Sequence, residues 1–397
     1  MPDGSLMTAF IMATGPASPT QGRTFMPETT LHLFGLTENG TAGYTPWEKG
    51  YDFYGLDGGC PPSPTLPSAT QKCLEIVYRK SFDGGSTWTT WRTDPFRALT
   101  PAPYTPQATI ALPNGTLIRR VNGDDLRDQT TIPRTALLQA LKTTDTNWPA
   151  LGGTGQVVTA SADPSICKYQ ISRIRALNDS TGRYIAMGQA WRYASAGTSG
   201  ACAASATDLS GTGIRNLLLV AASAADVEAG NWSIGMPYVS STTLIPNEWD
   251  AAQIADGSGD LLALFRTTVS GATVRRQARL RAETGVNCPS PTNGTIGCWI
   301  LDQATLGNPG NLQHSGHPEL LATQEGVIIE FATDRVAYTS DGSSWTTLSG
   351  FTGGVTNYYP RAIQNSTAAS IVWRTRSSTW GLAKVIRSPP FFQIVWS

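Results

Sequence analysis

The sequence predicts an all-β fold made of repeated four-stranded units, and three features carry that prediction. Charged residues make up only 15% of 397 positions, while glycine (40), proline (26) and tryptophan (12) are plentiful. That mix favours short strands and tight turns over long helices. A turn rich in Asp, Gly, Ser and Trp occurs at Ser81–Trp88 and returns, shortened, at Thr339–Trp345. Finally, a short strand, a glycine-containing turn and an apolar strand recur in order along the chain.

The turn at Ser81-Phe82-Asp83-Gly84-Gly85-Ser86-Thr87-Trp88 fits S-x-D-x-G-x-T-W at every defined position. Its physical logic is a hairpin: the carboxylate accepts backbone N–H groups, glycine supplies positive φ, and tryptophan packs between neighbouring sheets. Weaker traces stand at Thr143–Trp148 and Asp226–Trp232. The strand–turn–strand pattern is clearest at 104–118, 247–266, 317–331 and 359–374.

Together they define six units, at about 1–95, 96–155, 156–240, 241–305, 306–350 and 351–397. One four-stranded unit cannot bury both of its faces alone, so the units are expected to stack radially as a single six-bladed β-propeller over 1–397. The first blade carries an insertion at about 14–70. It also lacks an innermost strand, which should precede Asp3. Either the chain begins inside a blade, or the Phe391–Trp396 strand closes the ring in an unusual way.

Twenty-nine basic and 29 acidic side chains cancel. That balance gives no reason to expect nucleic acid or an anionic membrane as a partner, and no run of about eighteen apolar residues spans a bilayer. Six cysteines permit fifteen pairings, among which locality favours Cys60 with Cys73, Cys167 with Cys202, and Cys288 with Cys298. No C-x-x-C with an accompanying histidine suggests zinc, and no cofactor is expected. Six N-x-S/T sequons (Asn39, Asn114, Asn178, Asn231, Asn293 and Asn365) fit an extracellular protein, although no signal peptide opens the sequence. A monomer is expected.

In a propeller, residues that start the first strand and end the second meet around the axis. The third-to-fourth-strand turns, with the Asp motifs, lie on the opposite face. This register places Tyr104, Asp163, Glu248, His317 and the Tyr358–Tyr359 pair at the starts of inner strands. Asn122, Asp124, Asp125, Arg192, Arg266, Arg335 and Arg374 come at the ends of second strands. Arginines offer forked donors to a carboxylate, and carboxylates supply acid–base chemistry, as a pocket for an acidic or hydroxylated sugar requires.

Asn247-Glu248, then Asp256-Gly257, then Leu261 to Arg266 resembles the N-E…D-G…L…R pattern of the sialidase-like, Asp-box (BNR-repeat) superfamily. The resemblance implies an extracellular exo-glycoside hydrolase with a carbohydrate partner. It implies Glu248 as the carboxylate that activates a tyrosine nucleophile, Tyr359 as that nucleophile with Tyr358 as the register alternative, and Arg266 and Arg335 as substrate-gripping arginines. Arg361, Arg374, His317 and Asp124 are further candidates for substrate contact. The family's R-I-P arginine is absent, with Arg23 a poor substitute, and its general acid is unassigned, with Asp52 and Asp57 available in the insertion. Other readings of the same scaffold are an exo-arabinanase-like glycosidase, a uronate lyase and a non-catalytic carbohydrate-binding propeller.

Overall fold

The computed structural model describes residues 6–14, 24–26, 51–52, 72–83, 87, 92–93, 110–120, 136–142, 156–159, 166–192, 214–237, 248–269, 272–289, 296–312, 318–331, 336–348, 361–364, 370–374, 380–388 and 391–396. Among them the regular structure is mostly antiparallel β-sheet, with few helices. Contacts divide the chain into two units, Met1–Thr159 and Ala160–Ser397.

The first unit holds two sheets. One contains β1 (Leu6–Thr14), β2 (Thr24–Met26), β3 (Tyr51–Asp52), β4 (Lys72–Ser81) and β5 (Arg92–Thr93). Its order is β2-β1-β4-β3, with β5 also paired to β4. The insertion therefore supplies β2 and β3, and β2 occupies the edge of β1 where the sequence left a strand missing. An edge strand's unpaired N–H and C=O groups are satisfied by such a partner. The second sheet runs β6 (Ile110–Ala111), β7 (Thr116–Arg120), β8 (Ala136–Lys142), β9 (Gln156–Thr159). It continues to Thr159, past the boundary expected at 155.

The second unit is four successive four-stranded sheets, each in simple chain order. They are β10 (Ile166–Ala176) to β13 (Ser233–Ile234), with β11 (Tyr184–Arg192) and β12 (Ile214–Ala221) between them; β14 (Trp249–Gln253), β15 (Leu261–Val269), β16 (Ala272–Glu283) and β17 (Cys298–Leu301); β18 (Leu320–Ala322), β19 (Ile328–Phe331), β20 (Val336–Thr339) and β21 (Thr346–Thr347); and β22 (Arg361–Gln364), β23 (Ser370–Arg374), β24 (Trp380–Ser388) and β25 (Phe391–Trp396). β18 packs on β14 and β22 on β18, so the first strands of these three sheets stand side by side, while β14 packs on β11, the second strand of the sheet before it. The C-terminal strand does not close another sheet. Phe391 to Trp396 pairs with Ser388 to Ala383 as the fourth strand of its own sheet.

Strand β15 shows why the sheets stack. Its apolar residues run without alternation, and both faces are buried. Leu261, Ala263 and Phe265 join Met187, Leu218, Val220, Trp249 and Trp299 in one core. Leu262 and Leu264 join Ile254, Leu320, Ile328 and Ala337 in another. At roughly 25 cal/mol per Å² of apolar surface, burial on both faces is what makes neighbouring sheets mutually dependent. Trp249 stacks on Phe265 with centroids 5.2 Å apart, and its Nε1 donates to the Gly188 carbonyl at 2.6 Å.

The turn after β20 is built around Asp341. Its Oδ1 accepts the backbone N–H groups of Ser343 (2.7 Å) and Ser344 (2.8 Å) and the Thr339 hydroxyl (2.8 Å). Those bonds hold its carboxyl well below the usual carboxylate range. Gly342 sits at φ 72°, and a Cβ there would come within 3.1 Å of Ile254 Cδ1. Trp345 packs against the core shared with β14 and β15 and donates to Gln277 Oε1 at 2.7 Å. In the Ser81–Trp88 turn, Asp83 accepts the Thr87 N–H (2.8 Å) and hydroxyl (2.5 Å). The trace at Thr143–Trp148 lies outside the described residues.

Asp226–Trp232 lies in the connection between β12 and β13, the antiparallel third and fourth strands of their sheet, but it is not a tight turn. Ala224–Ala229 forms a helix, α1, capped by Ser223, whose hydroxyl accepts the Asp226 N–H, and ended by Gly230 in the left-handed region. The local capping chemistry outweighs the resemblance to the repeat. Asp341→Ala is expected to destabilise the protein by about 1 kcal/mol, read as a lowered midpoint in urea, because three bonds in a solvent-facing turn are lost.

Cys288 and Cys298 form a disulfide with Cα atoms 5.6 Å apart. It joins the end of the β16 excursion to the start of β17. Cys73 and Cys167 lie on β4 and β10, while Cys60 and Cys202 lie outside the described residues. Closing ten residues restricts the unfolded chain by about 2–3 kcal/mol. Replacing both cysteines by serine is therefore expected to lower thermal stability by several degrees, as measured by calorimetry.

Candidate active site

Glu248 stands one residue before β14, opposite Arg266 on β15. The Arg266 N–H donates to the Glu248 carbonyl at 2.9 Å, extending the ladder, and the guanidinium donates through Nη1 to Glu248 Oε2. Both side chains are partly open to solvent, 28% for Arg266 and 17% for Glu248. The pair thus combines backbone register with a charge-assisted bond at the end where the inner strand begins. Arg266 does not end β15, which runs three residues further because its hairpin with β16 continues to Val269 and Ala272.

The Asp341 turn lies at the other end of these sheets. β20 finishes opposite the start of β19, which is the finishing end of β18. A cavity of about 730 Å³ also lies at that end, lined by the first hairpin turns of three sheets, among them Asp179, Arg183, Gln253, Ser258 and Thr323. Its polar groups are engaged with one another. Asp179 accepts from Thr181, Gln253 and Arg183, and hydrogen bonding from Thr181 leads the influences that hold its carboxyl below the usual range against its partial burial.

Further along the inner strands lies a buried charge network that the sequence did not single out. Asp250 Oδ2 accepts from Arg175 Nη2 (2.5 Å) and from the Leu320 N–H (2.7 Å), and its Oδ1 accepts the Ala251 N–H (2.9 Å). Arg173 pairs with Glu319, and its Nε lies 3.9 Å from Asp250. Glu319 Oε1 accepts the Ala362 N–H at 3.4 Å. Strands β10, β14, β18 and β22 are tied together in this way. Burial pushes the Glu319 carboxyl up to about 7, with Arg173 opposing and Asp250 reinforcing the rise. A second buried pair, Arg275 on β16 with Glu330 on β19, joins the second and third sheets of this unit.

Among the sequence candidates, the structure brings Glu248 and Arg266 together. Arg361 opens β22 and Arg374 closes β23, and the two are directly opposite in the ladder. Arg192 closes β11, opposite Ile166. Tyr358, Tyr359, His317, Arg335 and Asp124 lie outside the described residues, as do Tyr104, Asp163, Asn122 and Asp125. Among the described residues no group of three or more His, Cys, Asp or Glu could hold a metal ion, and no helix is long and apolar enough to cross a membrane.

No family model matches the chain, and no curated protein matches it. Solved structures do. An α-L-arabinofuranosidase from Fusarium graminearum is similar at TM-score 0.44 and 12% identity, over 85% of this chain and 86% of that one. The intramolecular trans-sialidase of Ruminococcus gnavus is similar at TM-score 0.37 and 13% identity, over 68% of this chain and 47% of that one. An endo-arabinase from Bacteroides thetaiotaomicron is similar at TM-score 0.35 and 10% identity, over 74% of this chain and 92% of that one.

Proposed function

We propose that this protein is an extracellular, six-bladed propeller glycoside hydrolase that removes a terminal, acidic sugar through a tyrosine nucleophile. The observation that supports this most is the Glu248–Arg266 pair, a carboxylate and a guanidinium joined at the starting end of an inner strand and open to solvent. In this reading the Tyr359 phenol, with Tyr358 as the register alternative, gives its proton toward Glu248 and attacks the anomeric carbon. The bond to the leaving group breaks as that oxygen takes a proton. Water then hydrolyses the aryl glycoside with retention. Arg266 and Arg335 hold the sugar carboxylate, and Arg361, Arg374, His317 and Asp124 line the rest of the site.

The charge balance of the pair favours a second reading. Arg266 already has an anionic partner in Glu248, so an uncharged sugar fits without competing for the guanidinium, as in an exo-arabinan glycosidase. Turnover of a fluorogenic α-sialoside set against a fluorogenic α-L-arabinofuranoside separates the two readings. Cleavage of neither by the folded protein sinks both and leaves a carbohydrate-binding propeller.

A further inference from the structure

The Arg266–Glu248 pair is not alone on its face of the sheet. Arg266 and Arg275 are directly opposite each other on β15 and β16, so their side chains leave the same face. Leu264 and Asp250, which are also cross-strand partners, share that face, and it packs on the β18–β21 sheet. Two guanidinium groups in register repel, and like charges directly opposite in a ladder are destabilising. The sequence resolves the conflict with two carboxylates from different sheets. Glu248 holds Arg266 from its own sheet, and Glu330 holds Arg275 from the next. The second pair is wholly buried, both side chains at 0% exposure. The inter-sheet contact thus passes from apolar packing around Trp345 and Ile254 to ionic packing at the end where Glu248 stands.

The geometry points to Arg275 and Glu330 as positioning residues: by satisfying each other, they leave Glu248 to hold Arg266. Removing the Glu330 charge would leave Arg275 as a buried cation, for which Glu248 and Asp250 are the other carboxylates on that face. Glu248 lies nearer the open end, one residue before β14. It would turn toward Arg275 and release Arg266 to solvent. Removing Arg275 instead would leave Glu330 to draw Arg266 inward. Either way the accessible pair is disturbed from a site that touches no ligand.

The inference rests on Glu248 and Arg266 forming the functional pair, yet its test needs no turnover. In protein labelled with 15N-arginine, the Arg266 guanidinium signals are assigned by their loss in Arg266→Lys, and their hydrogen exchange is measured. Glu330→Gln is expected to speed Arg266 exchange at least tenfold. The paired apolar variant Arg275→Met/Glu330→Met is expected to restore the native rate, because it removes both charges together. A merely structural role would lower the melting temperature in both variants and leave Arg266 exchange within twofold of native, which overturns the proposal. So does a double variant in which Arg266 stays fast. Should Glu330→Gln fail to fold, Arg275→Met supplies the single-charge arm, in which Arg266 exchange is expected to slow at least tenfold as Glu330 draws it inward, and exchange within twofold of native overturns the proposal. The expected exchange changes, seen in a protein that cleaves no sugar, would sink the enzymatic reading and leave this inference standing.

Discussion

Turnover of the preferred fluorogenic glycoside is expected to fall by a factor of about 10³ or more in Tyr359→Phe, and by about 10²–10⁴ in Glu248→Gln. The two changes remove different things. Phenylalanine deletes the nucleophilic oxygen and preserves the ring. Glutamine keeps the shape of Glu248 and a group able to bond Arg266, but cannot take a proton. If Glu248 acts as the base for Tyr359, the double variant should be scarcely worse than either single one, since residues acting as a unit are non-additive. Arg266→Lys should act mainly through KM on a carboxylate-bearing sugar, because lysine keeps the charge and loses the fork. On an arabinofuranoside it should change KM little. Unchanged kcat in Tyr359→Phe eliminates that nucleophile, and Tyr358→Phe then tests the neighbouring register.

The parts of this fold that could be read in the sequence are the local ones. Unit boundaries followed turn chemistry and apolar runs, and the described sheets fall within the expected limits except where β9 runs past 155. The Glu248–Arg266 pairing was legible because both residues flank one hairpin, β14–β15, whose register fixes them opposite each other. At Asp226–Trp232 the repeat pattern placed the connection between third and fourth strands but not its local form. Ser223 and Asp226 bond reciprocally, side chain to backbone N–H and hydroxyl to carboxylate, as a helix start does, and Gly230 ends that helix. The buried network was invisible for a different reason. Arg173 meets Glu319 across 146 positions, and Arg175 meets Asp250 across 75. No periodicity within one unit announces a bond that exists only once the sheets have stacked.

Breaking that network is expected to cost more stability than any other change considered for this protein. Asp250 is fully buried and accepts from Arg175, Ala251 and Leu320 while lying near Arg173. Asp250→Ala would leave two arginines facing one remaining carboxylate, at a cost of about 3–5 kcal/mol. Chemical denaturation should show this as a large fall in midpoint, or as a protein recovered only in unfolded form. The pH dependence of the same cluster separates its members. Glu319 is raised to about 7, first by burial, against an unfolded value near 4.5. A raised carboxyl favours the folded state while it stays protonated, so its contribution is complete below about pH 4.5 and is lost as pH rises through about 7. Asp341 runs the other way, since its lowered carboxyl contributes stability above the ordinary carboxylate range that disappears in acid. The two windows do not overlap. Between pH 5 and 8 the native protein should lose stability relative to Glu319→Gln, and below pH 4 the loss should instead follow Asp341. A difference in stability between native protein and Glu319→Gln that stays flat from pH 5 to 8 would show that Glu319 is ionised throughout.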